Sequence, residues 1–122
     1  MRLSMKLRDI SADQIYIACG YTDMRRGING LAILVQSVFE MDPYKPALFL
    51  FCGRRRDRIK GLLWDGDGFL LLYKRLENGR FQWPRTTAEL KEISLQQYRW
   101  LMEGLSLNQP KALKPVSPGY LC

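Results

Sequence analysis

The sequence predicts an α+β domain in which two helices lie against a mostly antiparallel sheet of four to five strands, in the order β-α-β-β-β-β-α. Three observations predict it. Apolar residues recur at helical spacing in only two stretches, one towards each end of the chain. Short β-branched or aromatic runs fill the middle, separated by Asp-Gly and Asn-Gly reversals. Strands clustered between two helices imply helices that cover one face of the sheet, and a face left bare invites a homodimer to cover it. At 122 residues and 47% hydrophobic content there is material for one core. A single domain over residues 1–105 is therefore expected, followed by a flexible, basic, proline-containing tail over 106–122.

The first strand is expected between Gln14 and Cys19, where Ile15, Tyr16, Ile17 and Ala18 run up to Gly20. Thr22 or Asp23 can cap a following helix. Ile28, Leu31, Ala32, Val35, Val38 and Phe39 then keep helical period, so residues from Met24 to Glu40 form an amphipathic helix in spite of Gly27 and Gly30. Asp42-Pro43 ends it. Ala47 to Cys52 is apolar throughout, the pattern of a central strand buried on both faces. Arg58 to Trp64 and Phe69 to Leu76 read as a hairpin around Asp65-Gly66-Asp67-Gly68, and Glu77-Asn78-Gly79 reverses the chain again.

Arg80 to Trp83 is expected as a brief strand that Pro84 confines to an edge. A polar link to Ile93 leaves room for one more short strand. Ser94 and Gln97 have capping-box spacing, and Leu95, Tyr98, Leu101, Met102 and Leu105 form the apolar side of a second helix stopped at Gly104. Beyond Ser106, Pro110, Pro115 and Pro118 with Lys111 and Lys114 interrupt any period.

The charge of +7 on 14.2 kDa favours a polyanionic partner, nucleic acid ahead of an anionic membrane. Arg2, Lys6, Arg8 and Asp9 break up the N-terminal apolar residues, and no run reaches the roughly 20 residues of a membrane span, so no membrane association is expected. Three widely spaced cysteines, Cys19, Cys52 and Cys122, fit a reducing cytoplasm, with Cys19 and Cys52 as small core residues. The lack of histidine excludes Ser-His-Asp and Cys-His catalysis and histidine metal sites. With no specific catalytic motif, no catalytic residue, metal or cofactor is expected.

The densest functional signal is Gly53-Arg54-Arg55-Arg56-Asp57-Arg58, three consecutive arginines at a hairpin tip, with Lys60 on the same strand face as Arg58. A guanidinium donates two parallel hydrogen bonds to phosphate and stays charged at physiological pH. Lys74, Arg75 and Arg80 extend this candidate nucleic-acid surface. Arg25 and Arg26, in the first turn expected of the first helix, oppose its dipole and are candidates for an anion or partner contact.

Phe49, Phe51, Phe69, Leu71, Tyr73, Phe81 and Trp83 alternate along their strands and could form a base-stacking platform, although aromatics in short strands more often build a core. Asp57, Asp65, Asp67 and Lys60 invite comparison with a magnesium nuclease site. Aspartates alternating with glycines are, however, the ordinary chemistry of a turn.

Whole phrases of the chain, YTDMRRGINGLA, LFLFCGRRRDRIKGLLWDGDGFLLLYKRLENGRFQWP and QQYRWLMEGLSLNQPKA, resemble the insertion-sequence-66 accessory family known as TnpB or Orf2. The likeness runs from about Asp13 to Pro115, and the first ten residues match poorly. It implies a protein encoded beside a larger transposase and needed for efficient transposition. It implies no catalytic residues, and the family shares only a name with the RNA-guided nuclease TnpB. Together these readings predict a cytoplasmic, non-catalytic module that binds the DNA of the element ends, the transposase, or both. A pure protein-protein adaptor anchored by Trp64, Trp83 or Trp100 is the alternative, ahead of a nuclease.

Overall fold

A computed structural model describes residues 12–86, 89–111 and 113. The expectations for the first ten residues and for residues 114–122 lie outside it. Five strands form one sheet: β1 (Gln14–Ala18), β2 (Ala47–Cys52), β3 (Arg58–Trp64), β4 (Phe69–Arg75) and β5 (Leu90–Ile93), in the order β4-β3-β2-β1-β5. Two helices accompany them, α1 (Ile28–Ile33) and α2 (Leu95–Met102). The α+β class and element order are those predicted.

Connection length explains the pairing. Short turns force β2, β3 and β4 into antiparallel neighbours, whereas the helical crossover through α1 lets β1 lie parallel to β2. β5 returns antiparallel along the free edge of β1. All six residues of β2 are buried, as a strand with neighbours on both sides and cover on both faces must be.

The two faces carry separate cores. Tyr16, Ala18, Phe49, Phe51 and Leu62 pack beneath Leu31 of α1 and Val35 of the π-helical turn that continues it. On the other face Ile15, Ile17, Leu48, Leu50, Ile59 and Leu63 meet Tyr98 and Leu101 of α2 together with Phe81 and Trp83. The expectation of helices on one face is thus corrected. An apolar β2 needs a lid on each side, and the helices divide the task. The reason for invoking a covering homodimer disappears with the bare face.

α1 is shorter than its periodicity suggests. The Asp23 carboxylate accepts from the Arg25 backbone and side chain, and the Thr22 amide donates to the Cys52 carbonyl, so neither residue caps the helix. Helical structure begins only after Gly27, which caps it in an extended conformation without a side-chain bond. After Ile33 the coil widens into a π-helical segment, Leu34–Val38, with Phe39 N–H donating to the Leu34 carbonyl. Glu40, at φ 55°, turns the chain out.

Arg80 to Trp83 is not a strand. Phe81 N–H donates to the Arg56 carbonyl, and Trp83 Nε1 donates to the Ala18 carbonyl at 2.8 Å, so the segment crosses the end of the sheet and inserts both rings into the core. The fifth strand is the short one before Ile93. In α2 the predicted capping box is complete: Ser94 Oγ accepts from Gln97 N–H, and Gln97 Oε1 accepts from Ser94 N–H. Past α2, Leu107 packs against the second core and its carbonyl accepts from Gln97 Nε2.

Candidate nucleic-acid interface

The strand directions gather three connections at one end of the sheet: residues 20–27 after β1, the arginine turn at 53–57 after β2, and residues 76–85 after β4. Backbone hydrogen bonds lock them together. Thr22 N–H reaches the Cys52 carbonyl, Gly53 N–H the Arg58 carbonyl and Arg56 N–H the Gly53 carbonyl. Leu76 N–H donates to the Asp57 carbonyl, and Gly20 N–H to the Pro84 carbonyl. The arginines therefore project from a bonded frame rather than from a free loop, with Arg56 held in the left-handed region at φ 64°.

Arg54 and Arg55 are exposed, and Arg56 and Arg58 half-buried. The Arg54 guanidinium lies 5.2 Å from the Tyr21 ring centroid, and Arg85 Nη2 donates to the Arg54 carbonyl. Arg58 Nε faces Asp57 Oδ1 at 3.5 Å. Among the described residues no carboxylate lies within ion-pair distance of Arg54, Arg55, Arg56, Arg80 or Arg85. Arg25 differs: it clasps Asp23 through Nε and Nη2 at 2.8 to 3.1 Å. That side-chain bond, ahead of the backbone bond from Arg25, lowers the Asp23 carboxyl to about 2.

Two depressions flank the arginine turn. One, of about 580 Å³, lies between residues 54–57 and Leu76, Glu77, Gly79 and Arg80. The other, of about 490 Å³, lies between Tyr21, Thr22, Asp23 and Met24 and Gly53, Arg54, Arg55, Asp57 and Arg58. Arg54, Arg55 and Asp57 border both. Guanidiniums without an ion-pair partner among the described residues, beside open concavities, are chemically able to bind phosphate oxygens, although Asp57 and Glu77 share the lining.

The family model for IS66 Orf2-like proteins matches residues 13–112. The chain belongs to that family. Two proteins of Sinorhizobium fredii (strain NBRC 101917 / NGR234) are similar to this IS66 Orf2-like chain. The uncharacterized protein y4hO is 39% identical over 80% of the chain and 85% of its own length. The uncharacterized protein y4jC is 38% identical over 84% and 87% respectively. No solved structure matches significantly. Family membership connects the chain to transposition of an insertion sequence.

Within this IS66 Orf2-like fold the predicted cations divide. Arg54, Arg55, Arg56 and Arg80 border one depression, and Arg58 borders the other. Arg75 stands opposite Arg58 in the β3-β4 register and pairs with Glu77 at 3.4 Å. Lys60 donates to the Arg26 carbonyl at 2.8 Å and sits 5.7 Å from the Tyr73 ring centroid, so it ties the β1-α1 connection to the sheet. Lys74, paired with Ile59, falls on the opposite face from Lys60. Tyr21 and Arg85 were not singled out from the sequence. A glycine-flanked tyrosine after a strand, and an arginine following Pro84, were the signals available.

The aromatic platform is not formed. Phe49, Phe51, Phe81 and Trp83 are buried, and of the aromatic residues named for it only Tyr73 is exposed. Nor do the aspartates converge: Asp57 precedes β3 and Asp65 follows it, eight steps of about 3.3 Å or some 26 Å apart in extended chain, too far to share a metal ion. Among the described residues no group of three Asp, Glu, Cys or His side chains is placed to hold one. No helix among them is long and apolar enough to cross a membrane.

The opposite end of the sheet is acidic, with Asp13, Asp42, Asp65 and Asp67 in its connections. Tyr44, Trp64 and Phe69 form a partly exposed cluster there, with centroids 5.0 to 5.2 Å apart. Cys19 and Cys52 are buried free thiols, and burial, the largest influence, pushes Cys52 up to about 12.

Proposed function

We propose that this IS66 Orf2-like protein is a cytoplasmic accessory protein of transposition that acts by binding DNA, not by catalysis, through the arginine end of its sheet. The observation that supports the reading most is the set of arginines, Arg54, Arg55, Arg56 and Arg80, that have no carboxylate partner among the described residues and stand on one hydrogen-bonded frame. Surface arginines kept for solubility alone have no need of such a frame.

A second reading, in which the chain also or instead bridges to the transposase, draws on the Tyr44, Trp64 and Phe69 cluster at the far end. Aromatic clusters with a charged rim are typical anchors of protein partners. Of the tryptophans named for this role, Trp83 is excluded by its burial, and Trp100 is half-buried.

The test is binding to a labelled duplex carrying the element's ends, against a scrambled duplex, across salt concentrations. Each phosphate contact contributes about 0.9 to the slope of log affinity against log salt, so five contacts give roughly 4 to 5. The Arg54→Ala/Arg55→Ala/Arg56→Ala variant should lose most of that slope. A wild-type slope below about 1 removes the DNA reading. Protein that ignores duplex at low salt yet retains the transposase through Trp64 selects the adaptor.

A further inference from the structure

We infer that the depression between the β1-α1 connection and the arginine turn receives an unpaired nucleotide of DNA, its base against the Tyr21 ring and its phosphate on Arg54 and Arg55. This rests on the DNA-binding reading and specifies what the same surface holds best.

Tyr21 is 59% exposed at the rim of the depression, its ring available to a ligand there. Its backbone is held on both sides. Gly20 N–H donates to the Pro84 carbonyl at 2.8 Å, and Thr22 N–H to the Cys52 carbonyl at 2.8 Å, so the residues on either side are pinned to the sheet and to residue 84. Gly20 supplies the φ of +81° that turns the chain there. The ring is thus presented by bonded backbone rather than left over on a floppy loop. Arg54 covers part of it with a guanidinium, whose planar cation both stacks on aromatics and binds phosphate.

The lining offers a phosphate contact beside a stacking face. Arg54 and Arg55 supply donors for phosphate and Tyr21 a face for the base, while the Asp23 carboxylate is already taken by Arg25 and Asp57 Oδ1 is buried beside Arg58, so the base edge is left unread. The volume of about 490 Å³ lies within the range of small-ligand sites. Tyr44, also exposed, belongs to the aromatic cluster at the acidic end, and Tyr73 carries the Lys60 ammonium, so among the described residues Tyr21 is the exposed tyrosine that joins the depression to an arginine with no carboxylate partner there. Base pairs inside a duplex offer no open face to a ring. Only single strands, overhangs and frayed ends do.

The experiment compares fluorescein-labelled single strand, blunt duplex and duplex with a single-stranded overhang, using wild type, Tyr21→Ala, Tyr21→Phe and the triple arginine variant. Wild type should bind the single strand and the overhang more tightly than the blunt duplex. Tyr21→Ala should weaken binding to the first two by about 5- to 150-fold and blunt duplex by clearly less, while Tyr21→Phe keeps wild-type affinity for all three. Equal loss on all probes, no loss on any, or no preference for unpaired strand overturns the inference while leaving the DNA-binding reading standing. Wild type that binds none of the probes overturns the DNA reading itself. A thermal unfolding curve of Tyr21→Ala that overlays wild type separates lost stacking from lost fold.

Discussion

Arg56 is held at φ 64°, where a side chain crowds its own backbone and glycine would sit without strain. Its carbonyl accepts from Phe81 N–H and its amide donates to the Gly53 carbonyl, so surrounding bonds keep it there. A strained arginine where glycine is the easier choice suggests that the guanidinium is wanted at that spot. Arg56→Gly should therefore leave stability unchanged or raise it by up to about 1 kcal/mol in denaturant unfolding, while weakening DNA binding. Destabilisation beyond that would mean that the arginine side chain is a packing element. Cys52 gives a pH-dependent counterpart. Burial raises its folded pKa from the ordinary thiol value of 9.0 to about 12, so its contribution is complete below about 9 and disappears as pH rises towards 12. At neutral pH Cys52 should resist iodoacetamide until the protein unfolds, and rapid labelling mapped to Cys52 in native protein would contradict its burial.

At the scale of elements, α2 provides a clean measurement. Ser94→Ala removes the acceptor for Gln97 N–H and should cost about 1 kcal/mol in chemical denaturation, with the rest of the fold intact. That cap was legible in the sequence because its geometry is local, as were the apolar β2 and the β3-β4 hairpin. What stayed hidden depends on partners distant in the chain. Thr22 and Asp23 look like helix caps until Cys52 and Arg25 engage them, and α1 starts late for that reason. Phe81 and Trp83 alternate like strand residues, but their spacing instead serves two insertions into one core, fixed by the carbonyls of Arg56 and Ala18. The arginine turn was visible as a run of charge. Tyr21 was not, since a single aromatic beside a glycine gains meaning only when Arg54 is folded against it.

For the molecule as a whole, the two apolar faces of β2 require two lids, and the protein becomes three layers from a chain of 122 residues. This arrangement places the β1-α1 connection and the arginine turn side by side, because the parallel pairing of β1 and β2 ends both strands at the same edge. The same topology sends the 65–68 turn and the residues leading into β1 and β2 to the far edge. Net charge is sorted by strand direction: at one end the arginines outnumber Asp23, Asp57 and Glu77, and at the other Asp13, Asp42, Asp65 and Asp67 outnumber Lys45.

Such a molecule near a polyanion feels a torque as well as a pull. Its cationic end is drawn in and its acidic end pushed away while the two are still separated by solvent, so many encounters begin with the molecule already turned towards productive contact. The length of β3 is the lever arm. Through it, a structural decision about where strands begin and end becomes a determinant of how fast association proceeds, and of how sharply that speed falls as salt shortens the reach of the field.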